Sequence, residues 1–205
     1  MNPLPDPRPS PHSSRGAPSP WVIRWSHLIS PCVTVLDVAC GSGRHLAWFA
    51  DRGHPVTGID RDLAAARDLM SPTDVSGRAT RTTLVCADIE SNPWPLMLVD
   101  QPRQFGAVVV TNYLWRPVLP VICDSVAPGG VLLYETFTQG NETVGRPSRP
   151  DFLLRPGELL QACHGWQVVA YECGYLPEPA RHVQRIAAVR PDQHDVTGLT
   201  AHHPL

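Results

Sequence analysis

The sequence lacks a long apolar run, a secretion signal and a large net charge. No apolar stretch approaches the roughly 20 residues that cross a bilayer. The N-terminus has no charged segment followed by an apolar one, which a signal peptide requires. The formal net charge of -2 argues against broad nucleic-acid binding by phosphate neutralisation. We therefore expect a cytoplasmic protein with no membrane contact and no broad nucleic-acid binding.

The cysteines also lack the spacing of a metal site. No CxxC pair is present, so the sequence indicates neither a zinc site nor a disulfide framework. We expect reduced thiols, as in cytosolic proteins, and no bound metal. The residues concerned are Cys32, Cys40, Cys86, Cys123, Cys163 and Cys173.

The 205 residues, 42% of them apolar, suit one domain with two tails. Residues 1–20 are rich in proline, serine and arginine and carry few apolar side chains, so we predict a disordered or extended tail there. A polyproline ligand for a partner is the alternative. The domain is predicted to cover residues 21–190. Residues 191–205 are predicted to be a flexible tail.

The stretch from Thr34 to Asp60 has the pattern of a βαβ unit. An apolar strand ends in a glycine turn at Gly41 and Gly43, a helical run follows, and a second apolar strand ends at Asp60. Such a unit places a nucleotide-sized crevice at its strand tips. Glycines allow close approach of the backbone to a ligand, and a terminal carboxylate can accept hydrogen bonds from two ribose hydroxyls.

Strand and helix patterns alternate along the rest of the chain and end in a hairpin. This order predicts a doubly wound α/β sheet of seven mostly parallel strands, with one antiparallel strand near the C-terminus. Helices are predicted over 21–29, after the glycine turn, and over 63–70 and 117–126. Strands are predicted over 33–38, 55–59, 82–86, 105–111, 131–137, 166–173 and 183–189.

Five motifs resemble those of class I S-adenosylmethionine-dependent methyltransferases. They lie in that family's order at 35–43, 58–60, 87–89, 105–112 and 128–132. The similarity runs from about residue 33 to residue 189, and within the class it is nearest to the small tellurite-resistance and thiopurine-type bacterial enzymes. It implies a Rossmann-like fold, S-adenosylmethionine as cofactor, and methyl transfer to an acceptor.

The resemblance also assigns roles to single residues. It places Asp37 near the methionine amine, Asp60 at the ribose, Asp88 at the adenine amino group, and the backbone N–H of Ile89 at the adenine ring. Each aspartate has a structural alternative: a backbone cap for Asp37, a helix cap or surface charge for Asp60, and a loop turn for Asp88. The full predicted cofactor set is Asp37, Ala39, Cys40, Gly41, Gly43, Asp60, Arg61, Asp88, Ile89 and Asn112.

Arg44, His45 and Leu46 open the helix after the glycine turn. A dinucleotide-binding dehydrogenase has a third glycine where this chain has Leu46, which weakens the hypothesis of a nicotinamide-dependent reductase. Arg44 and His45 face either the methionine carboxylate or the substrate, or they belong to a solvated helix face. The sequence leaves these alternatives open.

The acceptor end of the crevice is predicted at Asn112 and Tyr113. The Asn-Tyr-Leu-Trp run lacks the Asn/Asp-Pro-Pro-aromatic pattern of amino-group methyltransferases that act on DNA or glutamine. As candidate catalytic residues, Tyr113 borders the methyl channel or only packs at a strand tip, and Glu135 is either a base or a structural hydrogen-bond acceptor. A basic group on the long connection is either a lid for an anionic substrate or a solvated loop: Arg146, Arg149 and Arg155.

The hypothesis that follows is an S-adenosylmethionine-dependent methyltransferase acting on a small-molecule acceptor by in-line displacement. A protein that binds this cofactor without catalysis and serves as a scaffold is the alternative from another class. The acceptor atom and the oligomeric state are not specified by the sequence.

Overall fold

A seven-stranded sheet forms the centre of the computed structural model, which describes residues 16–70 and 81–192. The strands are β1 (Val35–Val38), β2 (Val56–Asp60), β3 (Thr82–Cys86), β4 (Met97–Leu98), β5 (Gln101–Pro102), β6 (Phe105–Thr111), β7 (Val126–Phe137), β8 (Gln167–Pro177) and β9 (Ala180–Val189). The sheet order is β3-β2-β1-β6-β7-β9-β8. Neighbours from β3 to β7 are parallel, and β9 is antiparallel to both β7 and β8. Strands β4 and β5 form a separate hairpin.

Helices cover both faces of the sheet, because the buried strands carry apolar side chains on both sides. They are α1 (Pro20–Trp25), α2 (Arg44–Ala50), α3 (Ala64–Leu69), α4 (Leu119–Asp124) and α5 (Glu158–Ala162). Alternate residues of β6 contribute to two separate cores, Val109 with α1, α2 and α3, and Val108 with α4 and α5. None of the described helices is long and apolar enough to cross a membrane.

The predicted fold class is confirmed, including the antiparallel strand near the C-terminus. The bounds of β3 and β6 agree with the sequence patterns. The predicted helix over 21–29 is shorter, and it continues as a 3-10 turn at Ser26–Leu28. The predicted helix from residue 117 begins as a 3-10 turn at Arg116–Val118. These ends differ because short helices fray into tighter turns.

The start of the motif at 128–132, Pro128-Gly129-Gly130, has the composition of a tight turn but lies inside a strand. Strand β7 begins at Val126, earlier than the predicted start at Val131, and the pairing of Phe105 with Val126 shifts to Ala107 with Val131. Gly129 adopts a φ of 71° and donates its N–H to the Arg190 carbonyl at 2.9 Å. The glycines therefore form a bulge, which is held by this hydrogen bond to the residue that follows β9.

The ordered chain extends beyond the predicted N-terminal boundary of the domain. Ser19 is 3% exposed and precedes α1, although the composition placed it in a tail ending at residue 20. Composition does not detect such a segment, because its order comes from hydrogen bonds to distant residues. The rest of the predicted tails, residues 1–15 and 193–205, lies outside the described residues.

Arg116 ties the long connection after β7 to the start of α4. Its guanidinium donates two hydrogen bonds to Glu158, at 2.6 and 2.9 Å, and one each to the carbonyls of Asp151 and Leu153, at 2.8 Å. Such a bidentate arginine–carboxylate pair is stronger and more directional than a neutral hydrogen bond. The pair raises the pKa of Arg116 and, together with the Arg155 backbone N–H, lowers that of Glu158 against the opposing effect of burial.

Replacing Arg116 by glutamine is expected to lower the free energy of unfolding by about 1–3 kcal/mol, because charged hydrogen bonds to half-buried groups are lost. Urea denaturation measures the change. Arg149→Gln is the matched control, since the Arg149–Asp151 pair on the same connection is 71% and 63% exposed and contributes less than about 1 kcal/mol. Equal stabilities of the two variants would contradict this role of Arg116.

Candidate functional site

Two neighbouring strand tips turn sharply away from the sheet and open a cleft between them. Ala39 follows β1 with a φ of 54°, and Asn112 follows β6 with a φ of 55°. Left-handed backbone at residues other than glycine is uncommon and concentrates at functional sites. Both residues were predicted for the cofactor, and both line the cleft.

Asp60 holds the glycine turn against the tip of β2. Its Oδ2 accepts the Gly41 N–H at 2.8 Å, and its Oδ1 accepts the Asp62 N–H at 3.0 Å. Gly43 begins α2 with a φ of 78°. A carboxylate has about four lone-pair positions, so two remain for further donors such as ribose hydroxyls. The structural role of Asp60 therefore leaves acceptor positions for the predicted ligand role, which stays a prediction.

The close contact between α2 and β2 is provided by a glycine on the strand. A Cβ atom added to Gly58 would lie 2.6 Å from Cδ1 of Leu46 and 2.9 Å from Sγ of Cys40. Leu46 occupies the position of the third glycine in a dinucleotide fingerprint, and here its side chain fills the space over Gly58. The Cys40 side chain is buried in this contact, so only the backbone of Cys40 is available to the cleft.

The cleft has a volume of about 450 Å³. Seven predicted site residues line it: Ala39, Asp60, Arg61, Asp88, Ile89, Asn112 and Tyr113. Asp37, Gly41 and Gly43 lie in the strand and turn beside it rather than in its lining. The structure thus brings together residues from the ends of β1, β2, β3 and β6, as the parallel sheet requires.

Four lining residues were not predicted from the sequence: Ile59, Ala87, Glu90 and Phe152. The first three neighbour predicted residues and follow from the same strand tips. Phe152 comes from a 3-10 turn at Pro150–Phe152 on the long connection, where no periodic pattern indicates a fold. The Arg149 guanidinium lies 5.2 Å from the Phe152 ring centroid, so the long connection reaches the cleft through an aromatic ring that contacts one of its arginines, and the lid stays a prediction.

Asp88 is fixed by its own turn at the cleft wall. Its Oδ1 accepts the Glu90 N–H at 3.0 Å, and this bond and the Ser91 hydroxyl hold the pKa of Asp88 below its usual range. The loop-turn alternative therefore describes part of its role. Its position in the lining also leaves it available to a ligand, and its predicted contact with adenine stays a prediction.

Asp37 is a buried carboxylate with a free oxygen. The residue is 1% exposed, and its Oδ2 has no hydrogen-bond partner in the described part of the chain. Burial, reinforced by Asp60 and opposed by Arg44, raises its pKa from 3.8 to about 8. An unsatisfied buried carboxylate oxygen is costly and indicates a missing donor.

His45 is buried beside Asp37 in its neutral form. Burial and the neighbouring Arg44 lower its pKa to about 3. Its Nε2 accepts the Ser19 N–H at 3.0 Å, so the ring proton is on Nδ1, which lies 3.8 Å from Oδ2 of Asp37. The solvated-face alternative is therefore wrong for His45. Arg44 is directed elsewhere, donating to the Ala17 carbonyl at 3.1 Å.

Ser19 joins the site to the next strand tip. Its hydroxyl donates to Oε1 of Glu135 at 3.0 Å and accepts the Trp21 N–H at 3.1 Å, which caps α1. Glu135 is 2% exposed and also accepts from Arg185 at 3.1 Å. Both carboxylate oxygens are thus engaged. These contacts favour the structural alternative for Glu135, and its role as a base stays a prediction.

Tyr113 has a buried hydroxyl with no hydrogen-bond partner within residues 16–70 and 81–192. Burial, and then the charges of Glu90, Asp88 and Asp60, raise its pKa. The phenol is therefore protonated at neutral pH and acts as a hydrogen-bond donor, not as a base. Its backbone carbonyl accepts from the Tyr134 hydroxyl at 2.9 Å, which holds the backbone of Tyr113 at the cleft.

These groups fit S-adenosylmethionine. The free oxygen of Asp37 suits its ammonium group, the spare acceptor positions of Asp60 suit its ribose hydroxyls, and the wall at Asp88 and Ile89 suits its adenine. The cofactor has no phosphate, and the cleft offers three carboxylates against one arginine, a lining that disfavours a pyrophosphate.

The comparisons with known proteins agree with this fit. Residues 35–130 match the family model described as a methyltransferase domain. A stretch of 150 residues is 31% identical to malonyl-[acyl-carrier protein] O-methyltransferase of Salmonella typhimurium, and the match covers 72% of this chain. The chain spans 50% of that enzyme's length.

Solved structures share the fold at lower identity. TehB from Haemophilus influenzae superposes with a TM-score of 0.63 at 20% identity, over 82% of this chain and 61% of that one. A Burkholderia thailandensis 1,6-didemethyltoxoflavin-N1-methyltransferase superposes with a TM-score of 0.60 at 19% identity, over 88% of this chain and 80% of that one. Residues 35–130 therefore match a methyltransferase-domain family, and the chain shares the fold of a solved methyltransferase structure.

Proposed function

We propose that the protein transfers a methyl group from S-adenosylmethionine to a small-molecule acceptor. The observation that carries the proposal is the buried Asp37 oxygen without a donor, next to a cleft that Asp60 and Asp88 line. A cationic cofactor with an ammonium group, a ribose and an adenine amino group supplies a donor for each of these three carboxylates.

The charges of the cleft support this cofactor over a nicotinamide dinucleotide. Asp60, Asp88 and Glu90 line it with Arg61 as the lining residue of opposite sign. A pyrophosphate would meet like charges there, whereas a sulfonium and an ammonium meet opposite ones. The absence of a third glycine, where this chain has Leu46, also argues against a nicotinamide dinucleotide.

The bound cofactor supplies a methyl group on a sulfonium, which is a good leaving group. The residues of this chain then act by position: Asp37 holds the ammonium, Asp60 the ribose, and Asp88 with the Ile89 N–H the adenine. Tyr113 and Asn112 border the acceptor end. Alignment of the reacting groups with exclusion of water contributes up to roughly 7–11 kcal/mol to such a reaction.

The size of the cleft supports a small acceptor. Ser19, tied to His45 and Glu135, covers one side of the strand tips, and Phe152 reaches the cleft from the connection. A volume of about 450 Å³ is in the range of small-molecule sites. The structural relative from Burkholderia thailandensis was crystallised with 1,6-didemethyltoxoflavin and S-adenosylhomocysteine, a small acceptor on the same fold.

Two measurements on the purified protein test the proposal. Calorimetric titration with S-adenosylmethionine is expected to give micromolar binding, and titration with NADH is expected to give none. Incubation with a small-metabolite extract and methyl-labelled cofactor is expected to release S-adenosylhomocysteine and label a small molecule. Cofactor binding without label transfer to any extract would support the non-catalytic alternative, and NADH binding would support the reductase.

A further inference from the structure

Arg181, at the start of β9, is a half-buried cation without a close partner for its charge. Its side chain is 20% exposed, and its Nε is buried with no hydrogen-bond partner among the residues that the structure describes. Its Nη2 lies 4.0 Å from Oε1 of Glu135, at the outer limit of an ion pair. A buried guanidinium donor without an acceptor costs free energy unless a ligand satisfies it.

The neighbouring carboxylates, Glu135 and Glu172, already accept hydrogen bonds from another arginine, Arg185. Glu135 accepts from Arg185 at 3.1 Å and from Ser19 at 3.0 Å, and Arg185 also donates to Glu172 at 2.8 Å. Arg24 lies 3.9 Å from the second oxygen of Glu172. Three guanidinium groups thus share two carboxylates, and Arg181 has the longest contact of the three. The cluster has one positive charge in excess.

The position of Arg181 connects it with the acceptor end of the cleft. The carbonyl of Glu135 accepts the Asn112 N–H at 2.9 Å, and Asn112 lines the cleft. The side chain of Glu135 then reaches towards Arg181. Arg181 is therefore on the second strand beyond β6, and its guanidinium lies beside the Glu135 side chain on the strand between them.

We propose that Arg181 binds a carboxylate of the methyl acceptor, and this inference rests on the proposed function. One unpaired guanidinium matches one negative charge, and its planar donors match the two oxygens of a carboxylate. A phosphate dianion would bring a second negative charge towards Glu135, so a monoanionic carboxylate fits better. The acceptor class is a small carboxylic acid.

Arg149 is one of the three arginines, with Arg146 and Arg155, that the sequence suggests either for a lid over an anionic substrate or for a solvated loop. It is paired with Asp151 at 2.9 Å, and its side chain is 71% exposed. It also lies over the Phe152 ring. Since its charge is already matched and solvated, Arg149 is less suited than Arg181 to bind the carboxylate.

The test uses the full chain saturated with S-adenosylhomocysteine and a panel of probes: acetate, benzoate and monomethyl malonate, each with its uncharged primary amide. Calorimetry or ligand-observed NMR gives the dissociation constants. At least one carboxylate is expected to bind fivefold or more tightly than its amide. Arg181→Gln is expected to remove that preference, Arg181→Lys to keep part of it, and Arg67→Gln, on the exposed side of α3 and outside the cleft lining, to leave it unchanged.

The outcomes separate this inference from the proposed function. If S-adenosylhomocysteine binds normally but no carboxylate is preferred to its amide, the role of Arg181 is overturned and the cofactor assignment stands. An equal preference in wild type and Arg181→Gln has the same meaning. If wild type fails to bind S-adenosylhomocysteine and S-adenosylmethionine, the proposed function itself fails.

Discussion

Replacing Asp60 by alanine is expected to weaken the binding of S-adenosylmethionine by about 10- to 150-fold. A charged hydrogen bond of this kind contributes about 1.5–3 kcal/mol, and 1.4 kcal/mol corresponds to a factor of ten in affinity. Asp60 also accepts the Gly41 N–H at 2.8 Å, so its removal loosens the glycine turn that faces the ligand. Both effects reduce affinity.

Calorimetric titration of the folded variant measures this loss, with circular dichroism as the check on folding. Asp62→Ala is the control, because Asp62 accepts the Ala64 N–H at 3.0 Å at the start of α3 and does not line the cleft. Its affinity is expected to stay within twofold of wild type. A folded Asp60→Ala protein with an unchanged dissociation constant would remove Asp60 from the cofactor site.

The sheet was predictable because its central strands are buried on both faces. Residues 107–110 form an unbroken apolar run, and Gly58-Ile59-Asp60 ends a strand at an acid, so these strands were visible in a short window of sequence. The bulge at Gly129 was not, because it depends on a hydrogen bond to the carbonyl of Arg190, which directly follows β9. Local patterns thus located the elements, and tertiary pairing determined where they end.

The cleft lining at the strand tips was predictable for the same reason, and the segments that pack around it were not. Ala39, Asp60, Asp88 and Asn112 follow strand tips directly. Ser19, in contrast, meets Glu135 across 116 positions of sequence, in a segment whose composition suggests disorder. Arg181 can be identified as a candidate anion site only once the ion pairs of Glu135 and Glu172 with Arg185 are known. These contacts depend on the fold, so no single window of sequence contains them.

Asp37 gives a second large effect, because its buried charge opposes folding in the absence of cofactor. Its pKa in the folded protein is about 8, against 3.8 as the ordinary value. Between these values the folded state binds more protons than the unfolded state, so the free energy of unfolding falls as pH rises. The free energy of unfolding therefore decreases between about pH 4 and pH 8. Above that range it no longer changes with the ionisation of Asp37, because Asp37 is then ionised in both states.

Asp37→Asn is therefore expected to stabilise the cofactor-free protein, and to do so most at alkaline pH. At pH 5 the protonated aspartic acid and asparagine are both neutral and similar in shape, so the two stabilities are close. At pH 8.5 the variant is expected to be more stable by at least about 1.4 kcal/mol, the value of one pKa unit. Urea denaturation at several pH values measures the difference, and Asp51→Asn on the exposed end of α2 is the control.

The same substitution is expected to weaken binding of S-adenosylmethionine by at least tenfold, since the neutral amide cannot pair with the ammonium group. Stability and affinity then change in opposite directions, which a purely structural role of Asp37 does not produce. If Asp37 only capped the adjacent backbone, its loss would reduce both. A variant that is less stable than wild type at pH 8.5 would show that the buried carboxylate is a structural group of the fold, and the ammonium would then need another partner.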